Sequence, residues 1–273
     1  MNAANPNAPN TTGHVSATNT KRALAHTLAV TSGKGGVGKT FVTANLAAAL
    51  ASLGQRVLVL DADLGLANLD VVLNLHPKVT MHDVITGTAV LVDAIVPAPG
   101  GFDVLLAGSG LVEYSRLTPE VRDKLLEILE TVRPRYDWVL LDTGAGISDV
   151  VLFSVSLAEQ VLVVATPEPT SLTDAYATIK VLATQQHRRV LRLVVNQTSK
   201  MGEAKTVHAQ LKQVVDKYVN QALGAVVRLD LLGEIRSDVA VRESVLRRQL
   251  LLEAVPGCAA AQAVKILAAR LIE

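Results

Sequence analysis

The chain is 273 residues long with a formal net charge of +1, enough for one large α/β domain and too balanced to signal a charged partner. Hydrophobic residues make up 49% and aromatics only 3%, so an aliphatic core is expected. One cysteine, Cys258, excludes an internal disulfide and a cysteine metal cage; no run approaches the ~18 apolar residues of a spanning helix, and no signal peptide is evident, which points to the cytosol.

Residues 1–22 are rich in Asn, Ala, Thr and Pro without apolar periodicity and read as a disordered tail, leaving 23–273 as a single domain. His26–Thr31 reads as a strand, Ser32–Thr40 as a glycine-rich loop, and about 38–53 as an Ala/Leu-rich helix ended by Gly54. Gln55–Leu60 is a strand of the kind a parallel sheet buries on both faces, and it runs into Asp61-Ala62-Asp63. Short helices are expected over Thr80–Val96, a strand over Phe102–Leu106, and a helix from Pro119 to about Thr131 with Thr118 as its cap. Asp137–Asp142 is the next strand, followed by a mobile turn at Thr143–Ile147. Gln160–Ala165 is a strand, and Thr170 caps a helix to about Ala183. Val190–Val195 is a strand ending at Asn196, 203–222 a polar-faced helix, and Leu231–Ile235 the last strand. Ser237 caps a helix to about Arg247, and Ala259–Ile272 is the final helix. Strands alternate with helices throughout, so the expected fold is α/β, a mostly parallel twisted sheet with helices on both faces.

Gly33, Gly38, Lys39 and Thr40 meet the spacing of a P-loop, a glycine, four residues and Gly-Lys-Ser/Thr. Such a turn, here Gly33-Lys34-Gly35-Gly36-Val37-Gly38, aims backbone N–H groups at phosphate oxygens, and the helix opening at Lys39, Thr40 and Phe41 adds a partial positive charge. Lys39 can reach the β and γ phosphates, and the Thr40 hydroxyl can ligate Mg²⁺. Asp142 closes an apolar strand, the place of an acid that holds Mg²⁺ through water. Asp61 and Asp63 stand at the carboxyl end of another strand, where ligands bind in open α/β sheets, as Mg²⁺-shell or water-orienting carboxylates. GTPases carry Asn-Lys-x-Asp after a late strand; Asn196-Gln197-Thr198-Ser199 stands there instead, which favours ATP, with Asn196 as base contact and residues 235–238 as the other wall.

Lys34-Gly35-Gly36-Val37-Gly38-Lys39-Thr40 resembles the deviant Walker A motif of the MinD/ParA class of P-loop NTPases. That resemblance implies a single-domain ATPase that forms a homodimer with ATP, hydrolysing it slowly to ADP and phosphate. Lys34 would reach across the dimer to the partner's phosphates, Asp63 would orient the attacking water, and Asp61 would lie near the Mg²⁺ shell. Arg236 stands in the base wall where members of the class usually have proline. Leu60–Asp70 is similar to the switch I of MinD and of the flagellar-number regulators (FlhG/FleN/YlxH), and Asp142–Ile147 and Thr166–Lys180 look like the flagellar branch. The resemblance implies a switch that sets flagellar number or placement through a protein partner, with MinD-like division-site and ParA-like DNA-partition roles as alternatives. Met1–Thr20 shows no counterpart of the segment with which many flagellar members activate their GTPase partner FlhF. Ala259–Glu273 offers only Lys265 and Arg270 as cations and no Trp or Phe, so core packing is expected of that helix, with peripheral docking to the inner face of the membrane as the alternative. Arg242, Arg247 and Arg248, interrupted by Glu243, are expected to be a solvated face rather than a DNA strip.

Overall fold

The computed structural model describes residues 23–64, 68–108 and 117–273; the expectation for residues 1–22 lies outside them, as does the middle of the Asp61–Asp70 segment. The first half alternates β1 (His26–Ser32), α1 (Lys39–Ser52) and β2 (Val57–Ala62). Three short helices follow, α2 (Leu69–Leu73), α3 (Met81–Ile85) and α4 (Leu91–Ala94), then the hairpin β3 (Ile95–Ala98) and β4 (Phe102–Leu105). Next come α5 (Pro119–Val132), β5 (Trp138–Ala145), α6 (Asp149–Ser156), β6 (Gln160–Ala165), α7 (Pro169–Gln185) and β7 (Val190–Thr198). Helix α8 (Glu203–Val214) continues through a π-helical turn (Val215–Asn220) into α9 (Gln221–Leu223); β8 (Arg228–Arg236), α10 (Val239–Leu246), α11 (Leu251–Ala254) and α12 (Ala259–Ile272) complete the chain.

The strands form one sheet in the order β3-β4-β2-β5-β1-β6-β7-β8, parallel everywhere except between β3 and β4. Strand residues alternate between faces. Ala29, Leu58, Leu141 and Val163 pack with α5, α6, α7 and α8 on one side, while Leu28, Val59, Leu140 and Val164 pack with α1 and α12 on the other. The near-continuous apolar strands are therefore explained by burial on both faces. No helix among the described residues is long and apolar enough to cross a membrane.

Several local expectations need correction. Ile95 and Val96 begin an edge strand rather than ending a helix, because Gly100 and Gly101 (φ 86° and 80°) fold β3 back along β4. Thr143 does not open a turn: it is buried within β5, its hydroxyl donates to Val30 O (3.1 Å), and the chain turns only at Gly146. The cap of α7 is Glu168 rather than Thr170, since Pro169 takes the first helical position. Asp238 rather than Ser237 caps α10, because the helix opens at Val239 and the Asp238 carboxylate is the side chain that accepts from the first-turn Ala240 N–H (3.0 Å). Helix α6 and the short α2 and α11 were not anticipated.

Candidate nucleotide site

The site is built where central strand β1 hands over to α1. Gly36 and Gly38 hold φ of 77° and 92°, the left-handed region glycine enters without strain, and Gly38 is the N-cap of α1. Close approach restricts the loop further. A Cβ on Gly33 would stand 2.1 Å from the Asp174 carbonyl oxygen of α7, and one on Gly38 would meet Asn196 Nδ2 at 2.5 Å.

Two clefts sharing Gly36, Gly38 and Phe41 meet at this loop. The first, about 670 Å³, brings together the predicted Gly35, Lys39, Thr40 and Asp63 and adds Gly144 and Ser148. Lys39 Nζ donates to Ser32 Oγ (3.0 Å), whose own hydroxyl donates to Lys34 O (2.7 Å), so the lysine lies folded along the loop. Burial lowers its pKa, opposed by the carboxylates of Asp142 and Asp63. Asp142 is buried in β5 behind Thr143 of the cleft lining, and its Oδ1 accepts from the Thr43 hydroxyl (2.9 Å), a partner one turn beyond the motif that sequence reasoning passed over. Burial pushes Asp142 up to about 6, against the hydrogen bonds of Thr40 and Thr43 and the charge of Lys39. Asp63 lies against the strand end, its Oδ1 3.3 Å from where a Gly144 Cβ would stand.

The second cleft, about 450 Å³, holds Asn196 and Arg236 as expected, with Asp238 and Val241. Asn196 is buried and donates from Nδ2 to Val37 O (2.8 Å) while Oδ1 accepts from Gln197 N (2.9 Å). It therefore ties the P-loop to β7 and keeps one Nδ2 hydrogen for a ligand. Arg236 is exposed at the rim.

Gly33, Val37 and Asp142 stand behind the lining of the two clefts, and Lys34 and Asp61 are directed elsewhere. Lys34 points away from its own cradle, its Nζ paired with Glu168 (2.6 Å) and hydrogen-bonded to Thr170 Oγ1 (2.9 Å) at the start of α7. Asp61 pairs in register with Asp142 on the neighbouring strand but lines a separate cavity with Asp70 and His76. Its Oδ1 accepts from Asp63 N (3.2 Å), while Oδ2 is buried without a partner. Burial first, and Asp142 second, raise its pKa far above the usual carboxylate range. Two carboxyls side by side in a dry strand end repel, and a cation relieves exactly that cost.

The donor set fits Mg²⁺. Thr40 and Asp142, hydrogen-bonded to each other, offer hard oxygens, and among the described residues no cluster of three or more His, Cys, Asp or Glu could hold a metal ion by itself. Mg²⁺ suits such a site because it takes one or two protein oxygens and completes its shell with water and phosphate. When bound it neutralises charge on the β and γ oxygens.

A family model described as "ParA: NUBPL iron-transfer P-loop NTPase" matches residues 23–272. The chain belongs to the ParA/MinD family of P-loop ATPases. Among its relatives is the antiactivator FleN of Pseudomonas aeruginosa, 42% identical over 241 residues, covering 88% of this chain and 84% of FleN. The flagellum site-determining protein YlxH of Helicobacter pylori is 31% identical over 247 residues, 90% of this chain and 81% of YlxH. The cell-division ATPase MinD of Pyrococcus furiosus superposes with a TM-score of 0.74 at 29% identity, over 91% of this chain and 99% of that one. MinD of Pyrococcus horikoshii, solved with Mg-ADP, gives 0.73 at 29% identity over 91% and 96%. This ParA/MinD member is accordingly an ATPase that uses Mg²⁺ with its nucleotide.

Proposed function

We propose that this ParA/MinD ATPase is an ATP-driven monomer–dimer switch acting in the placement or counting of flagella, through a protein partner. The observation that carries the reading is the position of Lys34. It belongs to the P-loop, yet its side chain turns away from its own cradle and stands beside α7. A cation turned outward from its own cradle is placed for the phosphates of a second subunit, the logic of an arginine finger in trans. The flagellar assignment is supported by FleN and YlxH, each matched over more than four-fifths of its length.

In this reading triphosphate lies on the N–H groups of Gly35 to Lys39, and Asp63 orients the attacking water across from Gly144. Thr40 and Asp142 hold Mg²⁺. Adenine enters the second cleft between Asn196 and the Arg236–Asp238 wall. Hydrolysis needs no covalent intermediate; position and charge supply the catalysis.

Light scattering tests the switch. Asp63→Ala should bind Mg-ATP, double its mass and fail to turn over, while Lys34→Ala/Asp63→Ala should bind ATP and stay monomeric. A double variant that dimerises fully in ATP refutes the role of Lys34.

A further inference from the structure

The wall of the base cleft is held by a residue that the P-loop logic does not reach. Asp238 Oδ1 accepts from Ala240 N (3.0 Å) and caps α10. Its other oxygen, Oδ2, accepts from Ala260 N (3.2 Å) in the first turn of α12. The Cys258 thiol also donates to this carboxylate, while Cys258 Sγ caps α12 by accepting from Ala261 N (3.4 Å). One carboxylate therefore caps the starts of two helices, and each N–H it satisfies is an orphan donor of a first helical turn. Helix α12 packs on both α1 and β8. Its Leu267 lies so close to β8 that a Cβ on Gly233 would meet it at 2.6 Å. Since α1 carries Lys39 and Thr40, the two ends of the nucleotide trough are joined through α12.

We infer that Asp238 is the positioning residue of the base cleft: its carboxylate fixes the start of α10 against α12 and so sets the wall on which the base rests. The inference depends on the base occupying the second cleft, as proposed above. Asp238 touches the phosphates in no part of this scheme, because it lines the second cleft and not the first. Its removal should therefore weaken recognition of the base and spare both phosphate binding and chemistry. The effect expected on ATP affinity is a loss of about ten-fold, equivalent to about 1.4 kcal/mol of binding free energy.

The experiment compares Mg-ATP with inorganic tripolyphosphate, which lacks the base, by calorimetry. Asp238→Ala should raise the Kd for ATP about ten-fold, leave that for tripolyphosphate within about two-fold, and raise KM while kcat at saturating ATP is kept. Asp238→Asn, which keeps one acceptor oxygen and can cap only one helix, should fall between the two and provides a readout if the alanine variant does not fold. Val241→Phe, which fills the cleft without touching either cap, identifies the base site itself. If Val241→Phe weakens ATP selectively and Asp238→Ala does not, the inference fails alone. Equal loss of ATP and tripolyphosphate in both Asp238 variants also overturns it, since that reports general unfolding of the site. If Val241→Phe has no selective effect, the base lies elsewhere, and the inference falls together with that part of the proposed function.

Discussion

Glu168→Ala should make the ATP-bound dimer tighter, although the substitution removes an ion pair. In the monomer Lys34 Nζ lies 2.6 Å from Glu168, with side-chain exposures of 35% and 61%. Pairs this exposed contribute about 0.2–1 kcal/mol once screening and side-chain entropy are counted. A symmetric dimer must release two of them, so removing Glu168 lowers the cost of association by roughly 0.4–2 kcal/mol, or about two- to thirty-fold in Kd. The assay is light scattering across a concentration series of Asp63→Ala and Glu168→Ala/Asp63→Ala in saturating Mg-ATP. Raising NaCl should narrow the gap between the two, because salt weakens the pair only where it exists. A dimer that is unchanged or looser in the Glu168 variant would show that Glu168 serves the dimer itself, and the reasoning would be wrong.

Three other outcomes follow from the geometry. Gly38→Ala places a Cβ 2.5 Å from Asn196 Nδ2 at a φ of 92°, and should lose ATP binding in calorimetry and at least about 1–2 kcal/mol of stability in urea. Lys39→Ala should abolish ATP binding, while its thermal stability stays near or above the parent's, because the deleted ammonium is one that burial disfavours. The Asp83 carboxylate, held below its usual pKa by the Thr80 N–H and then the Thr80 hydroxyl, stabilises α3 when ionised. Its contribution is present above the unfolded pKa near 4 and disappears as pH falls through the lower folded value, so denaturation of Asp83→Asn and parent should differ at pH 7 and converge as the pH is taken down through that lowered value.

Much of this was legible in the chain because the signals were local. A P-loop is written in consecutive residues, and Gly33, Gly38, Lys39 and Thr40 fall where the spacing puts them, between β1 and α1. The buried strands announce themselves by unbroken apolar runs. Helix α6 was missed for the same reason: Val150, Val151, Leu152 and Phe153 form an apolar run with no polar face to give it a helical period. Strand β3 hid behind Pro97, a residue that suits only an edge, although Gly100-Gly101 carried the hairpin signal. The tertiary part of the site could not be read. That Asn196 would brace the P-loop, that Lys34 would rest on Glu168, or that Asp238 would end two helices depends on which segments the fold brings together.

The two borders of the sheet bear on how copies of this protein can assemble. At one border β3 is four residues long and contains Pro97, which has no N–H to offer a neighbour. At the other, β8 carries an extra residue at Leu232, where its register with β7 shifts, and the Leu232 carbonyl accepts from Arg270 Nη1 (2.6 Å). Arg228 and Asp230 add a charged pair along the same strand (2.9 Å). Neither border is a good template for another strand. High local concentrations of the protein should thus not drive it into fibres by strand addition, and any association of copies is left to surfaces other than the sheet borders.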